Sequence, residues 1–393
     1  MIKKIALLFI ALALNVSSIF ASPIQYPISS YLKRTYLEMI KIKEIAPKEI
    51  LHIVLGNQSG DMDSIASAIA FSYANRSRGF YIPVINIPKE DLALRGDVLH
   101  VFKTLHIDPN FLFYKEDLNF LLSLAKQGYL RVTLVDHNRL SPDQESFKDY
   151  IEKIIDHHKE ENNFYPLMKE EDKMILKIGS NSTLIAKPLS SSCDLSSQEA
   201  YLLLSAILLD TANLKNTNIT TEEDTTTARS LKKIAGQYYN ETLFDDLLKY
   251  RNAVEHLTPD LLLKKDYKIY KEGNFLYGIA SISKKVQWTP ENRLNWKESL
   301  KYSLEKDQVH LLSVFAYDGN DRVFIVYIPD LQLQKAVLSH IEQTPTLNAL
   351  LKPNGYFPED NLFFFKLQNP LSRKQLQPLL SFETNFPIQN ALH

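Results

Sequence analysis

A single cysteine, Cys193, stands in the 393 residues of this chain. That excludes a disulfide within the chain and any zinc site built on several thiolates. Charge of one sign is also lacking: 45 lysines and arginines face 46 aspartates and glutamates, a formal net charge of −1. No global basic field exists to hold a nucleic acid or another polyanion, so such a ligand would need a local cleft. Long apolar runs are missing too. The run Ile5–Leu14 falls short of the ~20 residues that span a bilayer, and no stable membrane span is expected. No internal repeat and no low-complexity segment is present, and the first strand is not followed by the G-x-G-x-x-G of a dinucleotide fold.

Against these absences, the composition is that of a soluble globular protein. It is 45% hydrophobic and 23% charged, and 393 residues predict two domains or more. Lys3 and Lys4, the apolar run and the small residues of "NVSSIFASP" read as a secretory signal over residues 1–22. Export to a periplasm or secretion is therefore expected, with a cytoplasmic location as the alternative. Asn57 and Asn181 open N-glycosylation acceptor patterns. Both lie in stretches expected at the active site, which favours a bacterial-type route over the endoplasmic reticulum.

Short apolar stretches, "ILHIVLG" (50–56), "YIPVINI" (81–87), "LRVTLVD" (130–136) and "IEKIIDHH" (151–158), alternate with helical ones such as "DSIASAIAFSYANRS" and "SSQEAYLLLSAILLD". This alternation predicts an α/β domain with a parallel sheet flanked by helices, over residues 23–245. A linker follows over 246–262. From 263 to 393 the pattern becomes hairpins, turning at Gly273–Asn274 and at Asp318–Asn320. A smaller α+β domain with a mixed or antiparallel sheet is expected there, with the active site in the cleft between the two domains.

The acids and imidazoles fall where the strands end. Asp61 and Asp63 follow the first strand, Asp136 closes the third with His137 and Asn138 behind it, and Asp156, His157 and His158 close the fourth. Ligands of open α/β sheets bind at the carboxyl ends of the strands. A solvated acidic loop explains any one of these motifs and explains all three poorly. Asp210 ends "EAYLLLSAILLD", a helix so apolar that it must be buried nearly all round. A carboxylate there costs several kcal/mol unless it is paired or bound to a cation. Oxygen and imidazole donors without thiolate suit Mn²⁺ or Mg²⁺, with Co²⁺ or Zn²⁺ possible. Five such groups exceed the needs of one ion, so two ions that activate water for in-line displacement at phosphorus are expected.

At this point the residues are similar to a known family. "GNQSGDMDS", "LVDHN", "DHH" and "LLSAILLDT" resemble the four motifs of the DHH phosphoesterase superfamily. "GSNSTLIA" (179–186), "DYK" (266–268) and "SRKQLQP" (372–378) resemble its subfamily of yeast-type exopolyphosphatases, family II inorganic pyrophosphatases and prune proteins. The resemblance implies that Asp61 and Asp136 hold one metal, and that Asp63, Asp136, His157 and Asp210 hold the other. It implies that Asp136 bridges the two and that His158 contacts the phosphoryl group and serves as general acid. His137 would line the pocket with Asn138, and Lys268, Arg373 and Lys374 would bind substrate phosphates. Where the pyrophosphatases carry histidine this chain has Asn57, in a form similar to the exopolyphosphatases, and this leaves the ligand set of one metal open. The glycine-rich "GGGH"-type motif of the nucleic-acid-directed branch is absent, so no nucleic-acid partner is expected. The implied activity is removal of orthophosphate from the ends of inorganic polyphosphate. A manganese-dependent pyrophosphatase, a short-chain polyphosphate or nucleotide phosphohydrolase, and a prune-like interaction protein with weak catalysis are the alternatives.

Overall fold

The computed structural model describes residues 27–43, 45–161, 165–191, 195–254, 257–286, 290–318, 321–357 and 360–368, with Gln377 and Leu380. The expected signal segment, Cys193, and Arg373 and Lys374 lie outside these residues. The chain divides into two compact units: one runs up to Lys89 and resumes over Asp97–Leu248, and the other joins Glu90–Gly96 to the chain from Lys249 onward.

The first unit is built on six strands: β1 (Leu51–Leu55), β2 (Phe80–Ile85), β3 (Phe113–Tyr114), β4 (Leu130–Val135), β5 (Ile151–Asp156) and β6 (Lys173–Ile175). All pair in parallel, in the order β3-β2-β1-β4-β5-β6. The runs "LHIVL" and "LRVTLV" are β-branched and apolar because a parallel sheet is covered on both faces. Leu51, Ile53, Leu55, Val132 and Leu134 form one core with residues of the helix Leu118–Lys126. The small-residue helix Met62–Ala74 lies against β1 and β2 and packs on the helix Ser197–Asp210. Its alanines and serines let the backbones come close, and nearly every position is buried. The chain leaves β1 toward β2 on one side and meets β4 on the other. The carboxyl ends of β1 and β4 therefore flank the point where the sheet reverses direction, the usual site of a ligand crevice.

The second unit holds a six-stranded sheet, in the order β11-β12-β10-β9-β8-β7. Its strands are β7 (Tyr267–Glu272), β8 (Phe275–Val286), β9 (Leu311–Asp318), β10 (Asp321–Tyr327), β11 (Leu351–Phe357) and β12 (Leu362–Leu367). Both expected hairpins are present, β7–β8 and β9–β10. The β8–β9 pair is parallel, crossing through the helix Pro290–Asp307, so the sheet is mixed. Alternation divides its residues between two cores: Phe315, Phe324 and Val326 face one, and Val314, Ala316, Val323 and Ile325 the other. Among the described residues no helix is long and apolar enough to cross a membrane.

Candidate metal centre

The turn after β1 is shaped by what does not fit. A Cβ on Gly56 would collide with Ser64 Oγ and approach the Ser64 carbonyl, so only glycine lets the helix Met62–Ala74 start this close to the strand. Asn86 donates to the Gly56 carbonyl at 2.8 Å and accepts from Gln144 at 2.6 Å, which fixes the turn from behind. Asp61 is the N-cap. Its Oδ1 accepts from Ser64 N–H at 3.0 Å and its Oδ2 from Ser59 Oγ at 2.7 Å. Asp63 sits inside the first turn, 2% exposed, and accepts from the backbone N–H groups of Asn181 (2.7 Å) and Ser182 (2.8 Å). The spacing of the two acids thus separates a capping carboxylate from an inward one.

Asp136, one residue beyond β4, is 2% exposed and holds a backbone φ of 63°. A non-glycine residue in this region is strained by roughly 1–3 kcal/mol, and such strain concentrates at functional sites. Asn57 holds it: the amide donates to the Asp136 carbonyl at 3.0 Å and to its Oδ2 at 2.5 Å. His157 Nε2 lies 3.2 Å from Asp136 Oδ1 and 3.7 Å from Asp63 Oδ2. Its Nδ1–H donates to the Ile178 carbonyl at 3.0 Å. That bond points Nε2 at the acids, the orientation in which a metal-bound histidine is usually fixed.

Burial and the neighbouring Asp63 push the Asp136 carboxyl up to about 8. Burial, then Asp63 and Asp61, raise Asp210 well above the carboxylate range, and its buried Oδ2 has no hydrogen-bond partner. Burial disfavours the His157 imidazolium, yet Asp136 and Asp63 outweigh it and lift this group to about 9. Among the described residues no lysine or arginine pairs with Asp63, Asp136 or Asp210. Crowded, buried carboxylates with no lysine or arginine beside them call for a cation. Ligand atoms of Asp136, His157 and His158 all lie within 4.8 Å of one another. The donor set, carboxylate and imidazole without thiolate, fits a hard or borderline divalent ion.

His158 is set apart from His157. Its ring stands 4.4 Å from that of His157 at 68°, its Nδ1 meets Asp156 Oδ1 at 2.9 Å, and its side chain is 55% exposed. It borders a cavity of about 610 Å³ also lined by Lys159, Glu160 and Glu161. The hydrogen bond to Asp156 raises its pKa against burial. Burial opposes ionisation of Asp156, but bonds from His158 and Asn138 outweigh it and hold that carboxyl below its ordinary range.

Of the residues singled out in the sequence, Asp63, Asp136 and His157 come into direct contact, and Asp61 and Asp210 lie within electrostatic reach of them. Asn57 acts as a hydrogen-bond donor to Asp136, and its amide oxygen is taken by Ser59 N–H at 2.7 Å. His137 lays Nδ1 against its own strand, 3.0 Å from the Val135 carbonyl, and its buried Nε2 has no partner. Asn138 donates to Asp156 at 2.6 Å and to the Lys159 carbonyl at 3.1 Å. Lys268 is exposed on β7 of the second unit. Asn181 is fully buried, so the glycosylation pattern it opens is closed off in the folded chain. Sequence reasoning gave no role to Asp156, which orients His158, nor to Ile178, Asn181 and Ser182, which fix His157 and Asp63 through backbone groups. "GSNST" was the visible signal, but backbone donors leave no mark in residue identity.

The sequence matches the N-terminal domain of the DHH family over residues 52–207 and the DHHA2 domain over residues 245–381. The chain thus carries a DHH domain followed by a DHHA2 domain. Among the relatives of this DHH chain is a Schizosaccharomyces pombe protein named, provisionally, an exopolyphosphatase: it is 29% identical over 70% of this chain and 75% of that protein. Exopolyphosphatase PRUNE1 of Homo sapiens is 26% identical over 84% of this chain and 75% of its own length. The manganese-dependent inorganic pyrophosphatase of Bacillus subtilis (strain 168) is 25% identical over 71% of this chain and 82% of its own.

Proposed function

We propose that this DHH protein is a metal-dependent exopolyphosphatase that hydrolyses terminal phosphoanhydride bonds of inorganic polyphosphate and releases orthophosphate. The observation that carries the reading is the buried cluster of Asp63, Asp136 and Asp210, with no lysine or arginine paired to it among the described residues and His157 Nε2 turned into it. Relatives named exopolyphosphatase support the choice of substrate. Asp61, Asp63, Asp136, His157 and Asp210 would hold two divalent ions, Mn²⁺ or Mg²⁺, with Co²⁺ or Zn²⁺ also suited to the donors. Bound there, such ions supply an activated water and neutralise charge on the phosphoryl group.

The chain's own residues do the rest. Asp156 takes the Nδ1–H of His158, so the exposed Nε2 is the atom free to donate. With its pKa raised, His158 keeps its proton nearer neutrality and can pass it from Nε2 to the leaving phosphate oxygen. Asn57 holds Asp136 in its strained backbone conformation, and Ile178 keeps His157 in the productive tautomer. Lys268, Arg373 and Lys374 are assigned to further phosphates of the chain. A planar guanidinium fork grips two phosphate oxygens, whereas an ammonium is a point charge.

The substrate test offers purified protein pyrophosphate, tripolyphosphate and long polyphosphate, each with Mg²⁺ or Mn²⁺, and compares phosphate release. Turnover of the longer chains with little of pyrophosphate is expected. Preference for pyrophosphate would move the protein to the second reading, an inorganic pyrophosphatase, which the likeness to the Bacillus subtilis enzyme favours. Absence of turnover on all three would support an interaction protein.

Arg373 provides an independent check on the phosphate grip. Losing one charge-assisted contact costs roughly 1.5–3 kcal/mol, or about 10- to 150-fold in kcat/KM. Arg373→Ala is expected to show that loss on tripolyphosphate with metal content unchanged, and Arg373→Lys to recover only part of it. Agreement of all three proteins within twofold would make "SRK" a solvated surface segment.

A further inference from the structure

One buried carboxylate has no place in the reaction described above. Asp224 is 0% exposed and lies in the first turn of the helix Glu222–Ala235. Its Oδ2 accepts from Thr221 N–H (2.8 Å) and Thr221 Oγ1 (2.7 Å), which closes the cap of its own helix. The same Oδ2 accepts from Gly179 N–H at 2.9 Å, and Oδ1 accepts from Thr183 Oγ1 at 2.6 Å. Those two bonds leave the cap and grip another segment at both of its ends. The fit is close: a Cβ on Gly179 would come 2.7 Å from Asp224 Oδ2 and 2.8 Å from Thr211 Cγ2.

The gripped segment, residues 178–183, touches three of the expected ligands. The Ile178 carbonyl accepts from His157. The N–H groups of Asn181 and Ser182 hold Asp63. With its amide turned to satisfy its neighbours, Asn181 accepts from Asp136 N–H at 3.2 Å and donates to the Ile155 carbonyl at 3.0 Å. A shift of this segment would move Asp63, Asp136 and His157 together.

We propose that Asp224 is a positioning residue for the metal centre: by fixing Gly179 and Thr183 it sets the spacing of the ligands that residues 178–182 hold. Its effect is carried by hydrogen bonds to the segment, and it touches neither ligand nor substrate. The kinetic consequence rests on the proposed phosphohydrolase activity, whereas the metal-binding consequence does not.

Two threonines separate positioning from general stability, because each gives one hydroxyl bond to the same carboxylate. Thr183→Val removes the bond on the metal-centre side and Thr221→Val removes the one on the cap side, both with little change of shape. Full-length protein stripped of metal is titrated with Mn²⁺ by calorimetry, and the melting temperature of the metal-free form is recorded beside it. Thr183→Val is expected to weaken Mn²⁺ binding by about 10- to 100-fold, as loss of a ligand-orienting partner does. Thr183→Ser, which keeps the hydroxyl, should bind as wild type does. Thr221→Val should lower the melting temperature and leave Mn²⁺ affinity within about twofold. If Thr183→Val does not fold, Thr183→Ala carries the same comparison. Unchanged affinity on losing the Thr183 hydroxyl, or an equal loss in Thr221→Val, overturns the proposal. Wild-type protein that binds Mn²⁺ but hydrolyses no phosphoanhydride would sink the proposed function and leave the positioning role to the affinity data. Failure of the wild type to bind Mn²⁺ would end both.

Discussion

Asp136→Ala is expected to lower phosphate release from tripolyphosphate by about three orders of magnitude or more, since the charge stabilisation supplied by such ions is worth several kcal/mol. Asp136 is in contact with both His157 and Asn57, and Asp63 is the neighbouring charge that raises its pKa most. Removing it takes away the residue expected to bridge both ions. Alanine also sits poorly at a φ of 63°, where asparagine is tolerated several times better, so Asp136→Asn is the cleaner variant. The two effects of Asp136→Asn should run in opposite directions. Activity and metal content fall, while the metal-free protein becomes more stable than wild type, because a crowded buried carboxylate has been made neutral. Phosphate release, bound metal and thermal melting read these changes, and far-UV circular dichroism checks the fold. Retention of two ions with most of the activity would remove the two-metal reading.

The second large effect is on stability. Stripped of metal, the protein is expected to lose several kcal/mol of stability as pH rises from about 5 to about 9, each unit of pKa difference being worth ~1.4 kcal/mol. Asp136 reaches about 8 in the folded chain, against ~3.9 for a free aspartate. His157 reaches about 9, against ~6.5 for a free histidine. Asp210 moves in the same direction as Asp136. In each case the folded state holds the proton more tightly than the unfolded one. The stabilisation is therefore full below the unfolded pKa and is lost as pH climbs through the folded value. Asp156, whose carboxyl is held low, has the opposite sign and loses its contribution as the solution turns acid. A divalent ion should invert the alkaline slope, since it binds only deprotonated ligands and so binds better as pH rises. Thermal melts with and without Mn²⁺ across this range test it. A metal-free melting temperature that stays flat from pH 5 to 9 would mean that these groups do not share a buried site.

Much of the architecture was legible in one dimension. β-branched runs such as "LHIVL" and "LRVTLV" could only be covered strands, and the acids that close them had to meet at one edge of a parallel sheet. Asp210 was legible for the same reason, as a charge ending a helix with no polar face. The turns at Gly273–Asn274 and after Asp318 marked two hairpins, and both are present. The parallel pairing of β8 with β9 was not visible, because strand direction depends on where the intervening helix Pro290–Asp307 packs.

What the sequence determined by itself, then, is which side chains carry charge or imidazole and on which strand end each falls, since hydrophobic periodicity and local chemistry decide both. Only the tertiary structure decided how those groups are held. Asp63 is fixed by N–H groups 118 and 119 residues away, Gly179 by a carboxylate 45 residues on, and Asp136 by an amide 79 residues back and a left-handed backbone. Such bonds run to backbone atoms that every residue possesses, or to polar side chains whose partner depends on how helices and strands pack. Their direction exists only once the chain has folded.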